Sequence, residues 1–320
     1  MRIRNRNGVT LIELMVVMSI IAIMLGAGLA LFTESNKDRG LRAARGMVLG
    51  ACRYAKTTAR NTRAPVWMRI DPEGRWIATS VRRPMASWHF EDNTLRGAMG
   101  KQAELDSGKI IDDGRVGRGI LFDDKGGHLD CGPLPMIAPD QGLIAEVWYR
   151  PKTHRKDRTV LLKRGEFGIM VDRGGALHAF VGGGQGEVRM DVKNLPIPEN
   201  RWSKLAIVWD AKTLTLLVND RPLARRAGTA VFEMNDSPLL IGTPEMPLDG
   251  CVDEIRVDAL VEDSHPVLPE GILVSGVPEL RFDENGALDT AFHQEPATLT
   301  VTAQNGQTMV VTVNMLGGSQ

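Results

Sequence analysis
The sequence predicts an α+β chain: a long N-terminal transmembrane α-helix, a small α+β body, and an antiparallel β-sandwich, or jelly roll, inserted within that body. Three observations predict it. Leu14 to Phe32 is 19 residues without a charge. Leu41, Ala44, Val48, Cys52, Ala55 and Ala59 recur every three or four residues, the period of one helix face. From about Ala86 to Asp263, short β-rich runs alternate with turn residues, and helical periodicity is absent.

The chain has 320 residues, enough for roughly two domains of ordinary size. Lys plus Arg and Asp plus Glu are both 39. A net charge of zero gives no electrostatic case for nucleic acid, and none is expected as a partner. Three cysteines without C-x-x-C spacing suit neither a disulfide scaffold nor a structural zinc site.

The N-terminal element comes first. Val9 to Phe32 is 24 residues with one charge, Glu13. As a helix it spans about 36 Å, enough to cross a hydrocarbon core of about 30 Å. Arg2, Arg4 and Arg6 precede it, and Lys37 and Arg39 follow it. Basic residues on the short N-terminal side favour keeping that end in the cytoplasm. The expected location is therefore the inner (cytoplasmic) membrane, crossed once, with the bulk of the chain on the periplasmic or extracellular side. Glu13 is the exception in this run. A carboxylate in such a segment costs on the order of 3 kcal/mol. No Lys, Arg or His lies within helical reach inside the apolar run, so its partner comes from elsewhere.

The order Gly8-Val9-Thr10-Leu11-Ile12-Glu13 after a short basic leader resembles the class III signal of type IV pilins and type II secretion pseudopilins. The resemblance implies cleavage after Gly8 and N-methylation of Val9 by a prepilin peptidase. It also implies that Glu13, fifth in the mature chain, meets the N-terminal amine of a neighbouring pilin or pseudopilin subunit. The family prefers Phe where this chain has Val9. An ordinary secretory signal, with Gly28-Leu29-Ala30 as its cleavage site, would have an apolar core of only about 7–15 residues and leaves Glu13 unexplained. So does a plain anchor.

A second helix is expected beyond Thr33, with the 41–59 stripe as its buried face. Cys52 lies on that stripe and reads as a small core residue. Basic residues cover the other faces, among them Arg42, Arg45, Arg53, Lys56 and Arg60. They read as a solvated face, with membrane lipid headgroups as the functional alternative. Pro65 to Ile70 and Trp76 to Val81 read as strands around an Asp71-Pro72-Glu73-Gly74 turn. Helix followed by this hairpin resembles the H-class minor pseudopilins. The pattern stops near Pro84 and resumes near Pro269, where Leu280-Arg281-Phe282 and Gly286 precede a last hairpin as in that class. In the hairpin, a two-residue loop would set the apolar residues on opposite faces. A three-residue loop, Gln304 to Gly306, pairs Val301 with Met309 and aligns them, which predicts Gly306 in the left-handed region.

The intervening segment has strands expected at Leu143 to Tyr149, Thr159 to Leu162, Phe167 to Val171, Leu177 to Val181, Lys204 to Trp209 and Leu214 to Val218. Trp88-His89-Phe90-Glu91, Gly119 to Asp123, Glu146 to Tyr149, Asn200 to Trp209 and Asp249 to Val257 occur in an order similar to the concanavalin A-like, laminin G-like family. The resemblance implies that first and last strands are neighbours, so that Cys131 and Cys251 approach and pair on the oxidising side of the membrane. Two unrelated buried cysteines are the alternative. The expected organisation is a leader at 1–8, a transmembrane and assembly helix at 9–38, the body at 39–85 and 265–320, and the insert at 86–264.

No catalytic site is legible. The Glu-x-Asp-x-x-Glu run of sandwich glycosidases is absent from the insert, and His-Glu-x-x-His is absent from the chain. Gly182 to Gly186 lacks nucleotide-binding spacing and reads as a turn. No cofactor is expected. Asp123, Asp124 and Asp130 could offer oxygens to calcium, although a solvated acidic loop is the simpler reading. The expectation is a non-enzymatic minor pseudopilin or pilin-like subunit that displays a lectin-like domain toward a glycan or an exported protein. The alternative is a membrane-tethered carbohydrate-binding or carbohydrate-active module that does not assemble.

Overall fold
The computed structural model describes residues 11–98, 102–123, 127–135, 142–193, 197–233 and 235–320, with only the backbone of residues 13 and 26–38. Helix α1 (Leu11–Thr62) runs 52 residues without interruption. The two helices expected on either side of Thr33 are thus one. No proline interrupts 11–62, and charged residues at 34–39 fit a helix as well as a loop.

Twenty strands follow: β1 (Val66–Ile70), β2 (Ile77–Trp88), β3 (Glu104–Asp106), β4 (Gly108–Ile111), β5 (Gly119–Asp123), β6 (His128–Pro133), β7 (Gly142–Pro151), β8 (Arg158–Lys163), β9 (Phe167–Val171), β10 (Leu177–Val181), β11 (Val188–Val192), β12 (Ser203–Trp209), β13 (Thr213–Val218), β14 (Arg221–Ala227), β15 (Pro238–Ile241), β16 (Asp249–Ser264), β17 (Ile272–Gly276), β18 (Glu279–Phe282), β19 (Ala297–Ala303) and β20 (Thr308–Val313). Among the described residues they form three antiparallel sheets. The largest has the order β14-β13-β12-β7-β16-β2-β1-β18, with β5 and β4 attached beside β16. The second runs β11-β10-β9-β8-β15-β6-β3, and the third β17-β19-β20.

The first two sheets face each other across one core. Alternate residues of each strand enter it: Leu143, Ala145, Val147 and Tyr149 from β7, and Phe167, Ile169 and Val171 from β9. That period of two is what the β-rich runs encode. The turn at Asn219-Asp220 has both residues at positive φ, 51° and 62°, as a two-residue hairpin between β13 and β14 requires.

The body has its own core. Ala44, Val48, Cys52, Ala55 and Ala59 lay one face of α1 on β1, the start of β2, β18 and the third sheet. Small side chains let the helix approach closely, while Leu280, Phe282, Leu299 and Val311 fill the space opposite. The last hairpin pairs Val301 with Met309, and Gly306 sits at φ 82°. Burial pushes the Cys52 thiol up to about 12, as for a core residue.

Strands β2 and β16 join the two cores. Ile77 to Ser80 pairs with β1 in the body, and Trp88 at the other end is fully buried in the sandwich. The second strand was expected to end at Val81, ahead of Pro84, but β2 continues to Trp88. Pro84 lies where β16 shifts register between Val257 and Asp258, a place where a missing N–H is tolerated. The sandwich and body therefore share one continuous sheet.

Candidate functional site
Two surfaces and one internal junction are the candidate sites. The first surface is the start of α1. Leu11 is 78%, Ile12 72% and Met24 70% exposed, and Leu14 to Leu25 are apolar on every side of the helix apart from Ser19. Gly8 and Val9 lie outside the described residues. Glu13 lies in α1, but its side chain is also outside them. Among the described residues no helix is long and apolar enough to cross a membrane. Farther along, Lys56 Nζ donates to the carbonyl of Leu316 at 2.8 Å and Arg45 Nε to that of Val310 at 3.5 Å, so part of the basic face ties the helix to the body.

The junction is a crevice of about 470 Å³ between the outer face of the large sheet and the 283–291 loop. Arg82, from β2, donates to Asp258 on β16 at 2.6 Å and to Glu146 on β7 at 3.2 Å. Arg256 also donates to Asp258, at 2.9 Å, and Lys204 lies 3.5 Å from Glu146. Burial would raise Glu146, but Arg82, Lys204 and Arg256 hold its carboxyl below the usual range. Beside this network Arg281 is clasped between the rings of Trp67 and Phe292, at 4.8 and 4.1 Å, with Asp289 at 3.0 Å. Trp67 and Phe292 pack in turn on Ile144, Ala206, Val208, Leu217 and Leu260 of the sandwich. The ion pairs of Arg82 and Arg281, with the aromatic clasp, make the crevice a brace between the two halves.

The second surface is a groove of about 400 Å³ on the outer face of the seven-stranded sheet. His178, on β10, has Asp191 Oδ1 at 2.6 Å from Nδ1 and Asp172 Oδ2 at 3.4 Å from Nε2. Register places these groups: β10 pairs His178 with Asp191 on one side and with Met170 on the other. Asp191 also accepts from Arg189 Nε at 3.3 Å, and its carboxyl is held below the usual range by the His178 hydrogen bond and by Arg189. Asp172 Oδ1 accepts from the Ala176 N–H at 2.9 Å, which closes the β9–β10 turn. Met170 and Met246 line the same groove. None of these residues stood out in the sequence. The one available signal was that both side chains lie on the outward period of their strands, but pairing across strands is not visible there.

Cys131 and Cys251 are not joined. Both are buried thiols, on β6 in one sheet and β16 in the other, because the chain changes sheets between Asp123 and His128. The expected first-and-last-strand pairing does occur, but between β5 and β16, where Cys251 faces Leu121. Asp123 and Asp130 fall in different sheets and Asp124 lies outside the described residues. Asp130 Oδ1 accepts from the Gly132 N–H at 2.8 Å. Among the described residues no group of three or more His, Cys, Asp or Glu could hold a metal.

Family models match two stretches. Residues 3–29 match the prokaryotic N-terminal methylation motif, and residues 123–263 match the concanavalin A-like lectin/glucanases superfamily. The chain carries a prepilin-type signal and a concanavalin A-like domain. Similar solved structures include domain 4 of an extracellular arabinanase from Geobacillus stearothermophilus, solved with arabinotriose. It is 18% identical, covers 56% of this chain and 95% of its own, and has a TM-score of 0.47. The binding domain of botulinum neurotoxin serotype D is 10% identical over 72% and 74%, at 0.44. Trypanosoma rangeli sialidase with sialic acid is 15% identical over 55% and 30%, at 0.40. A search of curated proteins finds no match.

Proposed function
We propose that the chain is a minor pseudopilin or pilin-like subunit that assembles through α1 into a type II secretion pseudopilus or type IV pilus. It displays the sandwich outward for binding, without catalysis. The observation that supports this most strongly is the contrast along α1. Its second half buries one stripe in the body, whereas Leu14 to Leu25 presents apolar side chains all round. Such a surface is stable only in lipid or among neighbouring helices. The methylation motif on the same residues supplies the reason for both environments: residence in the inner membrane before assembly, and helix packing after it.

In this reading the prepilin peptidase cuts after Gly8 and methylates Val9. Glu13 then neutralises the N-terminal amine of an adjacent subunit. Residues 86–264 form the displayed module, between two parts of the body at 39–85 and 265–320. The family description of lectins and glucanases supports a glycan as the partner of that module. Mass spectrometry of the mature protein tests the reading. The expected N-terminus is methylated Val9; an uncut Met1, or a start after Ala30, overturns it. Glu13→Ala should leave the chain processed but exclude it from filaments.

A further inference from the structure
We propose that the groove around His178 is the ligand site of the displayed module, and that its ligand is a neutral oligosaccharide. The inference rests on the outward-display reading and extends it to a place and a ligand class.

Charge decides the class first. Arg173 and Arg189 line the groove with Asp157 and Asp172, Asp191 stands beside it against His178, and the cations lie against these acids: Arg189 on Asp191, Arg173 beside Asp157. Each arginine faces an acid, and the carboxylates outnumber the arginines, so the groove has no surplus positive charge to draw a carboxylate, sulfate or phosphate. The helix-bearing body is different, because there basic side chains outnumber acids on exposed faces. What the groove offers instead is a set of fixed donors and acceptors. His178 is held edge-on between two carboxylates, and Asp191 Oδ1 is occupied by His178 and Arg189, which leaves Oδ2 for a hydroxyl donor. Arg189 keeps guanidinium N–H groups for a hydroxyl acceptor. A sugar hydroxyl is both donor and acceptor and satisfies both without bringing a charge.

The second argument is the mixture of surfaces. Met170 and Met246 give an apolar lining beside this polar set. A pyranose ring has the matching pair of surfaces, with C–H groups on its faces and hydroxyls on its rim. The volume is within the range of about 300–1,000 Å³ common to ligand pockets. A peptide would have to leave backbone N–H and C=O groups facing the methionines, where no partner is offered. The groove also lies on the sheet that takes no part in the junction with the body, so assembly through α1 leaves it open.

The test uses the full chain in detergent. An array of cello-, xylo-, malto-, arabino- and chito-oligosaccharides, with sialyllactose as a charged comparison, identifies a binder, and calorimetric titration quantifies it. The expected result is a neutral oligosaccharide whose affinity falls about tenfold or more in His178→Ala and in the shape-conserving Asp191→Asn. Arg118→Ala, just before β5 of the other sheet, should bind like the parent. Parent-like binding by both groove variants would overturn the location and leave a glycan-binding module standing. Binding of sialyllactose in preference to the neutral panel would overturn the ligand class. Failure of the parent to bind any glycan would overturn both and point to a protein ligand, while the assembly reading is decided separately by the N-terminus.

Discussion
The body and the sandwich fill their cores by opposite means. In the body, Ala44, Ala51, Ala55 and Ala59 bring α1 down onto the strands, so closeness does the work. In the sandwich, Trp88, Trp209, Tyr149, Phe122 and Phe167 span the gap between two sheets, so bulk does it. Packed sheets stand about 10 Å apart and need long side chains to meet. A helix on a sheet meets it most closely where its side chains are shortest. The body is therefore vulnerable to enlargement and the sandwich to truncation. The ribbon of β2 and β16 decides whether damage to one is felt by the other.

The largest expected effect is in the sandwich. Trp88→Ala should cost about 3–5 kcal/mol, read as a shift in the urea midpoint at constant slope. An effect under about 1 kcal/mol would mean that the aromatic core is not the main support. Asp258→Ala attacks the brace. It leaves Arg82 and Arg256 without their shared buried carboxylate, at a cost of about 3–5 kcal/mol. Calorimetry should then resolve two transitions where the parent shows one.

Ala55→Leu inserts three carbons where α1 has no room, and should cost about 1–3 kcal/mol. Combined with Trp88→Ala, it should add to within about 0.5 kcal/mol if the cores are independent. A larger departure would measure coupling through the ribbon. The smallest effect is a pH slope. Burial raises Asp253 to about 6, against three backbone N–H groups, from Arg115, Val116 and Glu254, that favour its charged form. The folded state thus holds this proton more tightly than the unfolded chain. The resulting stability is present below about pH 4 and lost as pH rises through about 6. Asp253→Asn should flatten the slope between urea midpoints taken at about pH 4 and about pH 7.

Strands were readable where neighbours in sequence decide them. Phe167–Val171 and Leu177–Val181 have the predicted bounds, and the 301–309 register followed from bringing the apolar residues of both strands to one face. The methylation signal was readable because a lone acid in an apolar run demands an explanation. Features set by distant segments were not. The change of hydrophobic pattern near Thr33 marks a change of surroundings for α1, not a break in it. Pro84 looked like a strand end because the shift in β16 that accommodates it lies more than 170 residues away. The disulfide failed for the same reason: which sheet Cys131 joins is fixed by a crossing that leaves no local mark. The groove needed the pairing of β10 with β9 and β11 before His178, Met170 and Asp191 could be seen together.

The paired course of β2 and β16 has a bearing on how such a molecule arises and can be rebuilt. Val81 and Val261 stand directly opposite each other in the ladder. In topological terms everything between them is the connection of a single hairpin, one that a two-residue turn could close. Two cuts at adjacent points in space therefore remove or exchange the outer module without altering strand order in the host. A scaffold built this way is a generic adaptor, and new specificities can be grafted onto it by recombination at one rung.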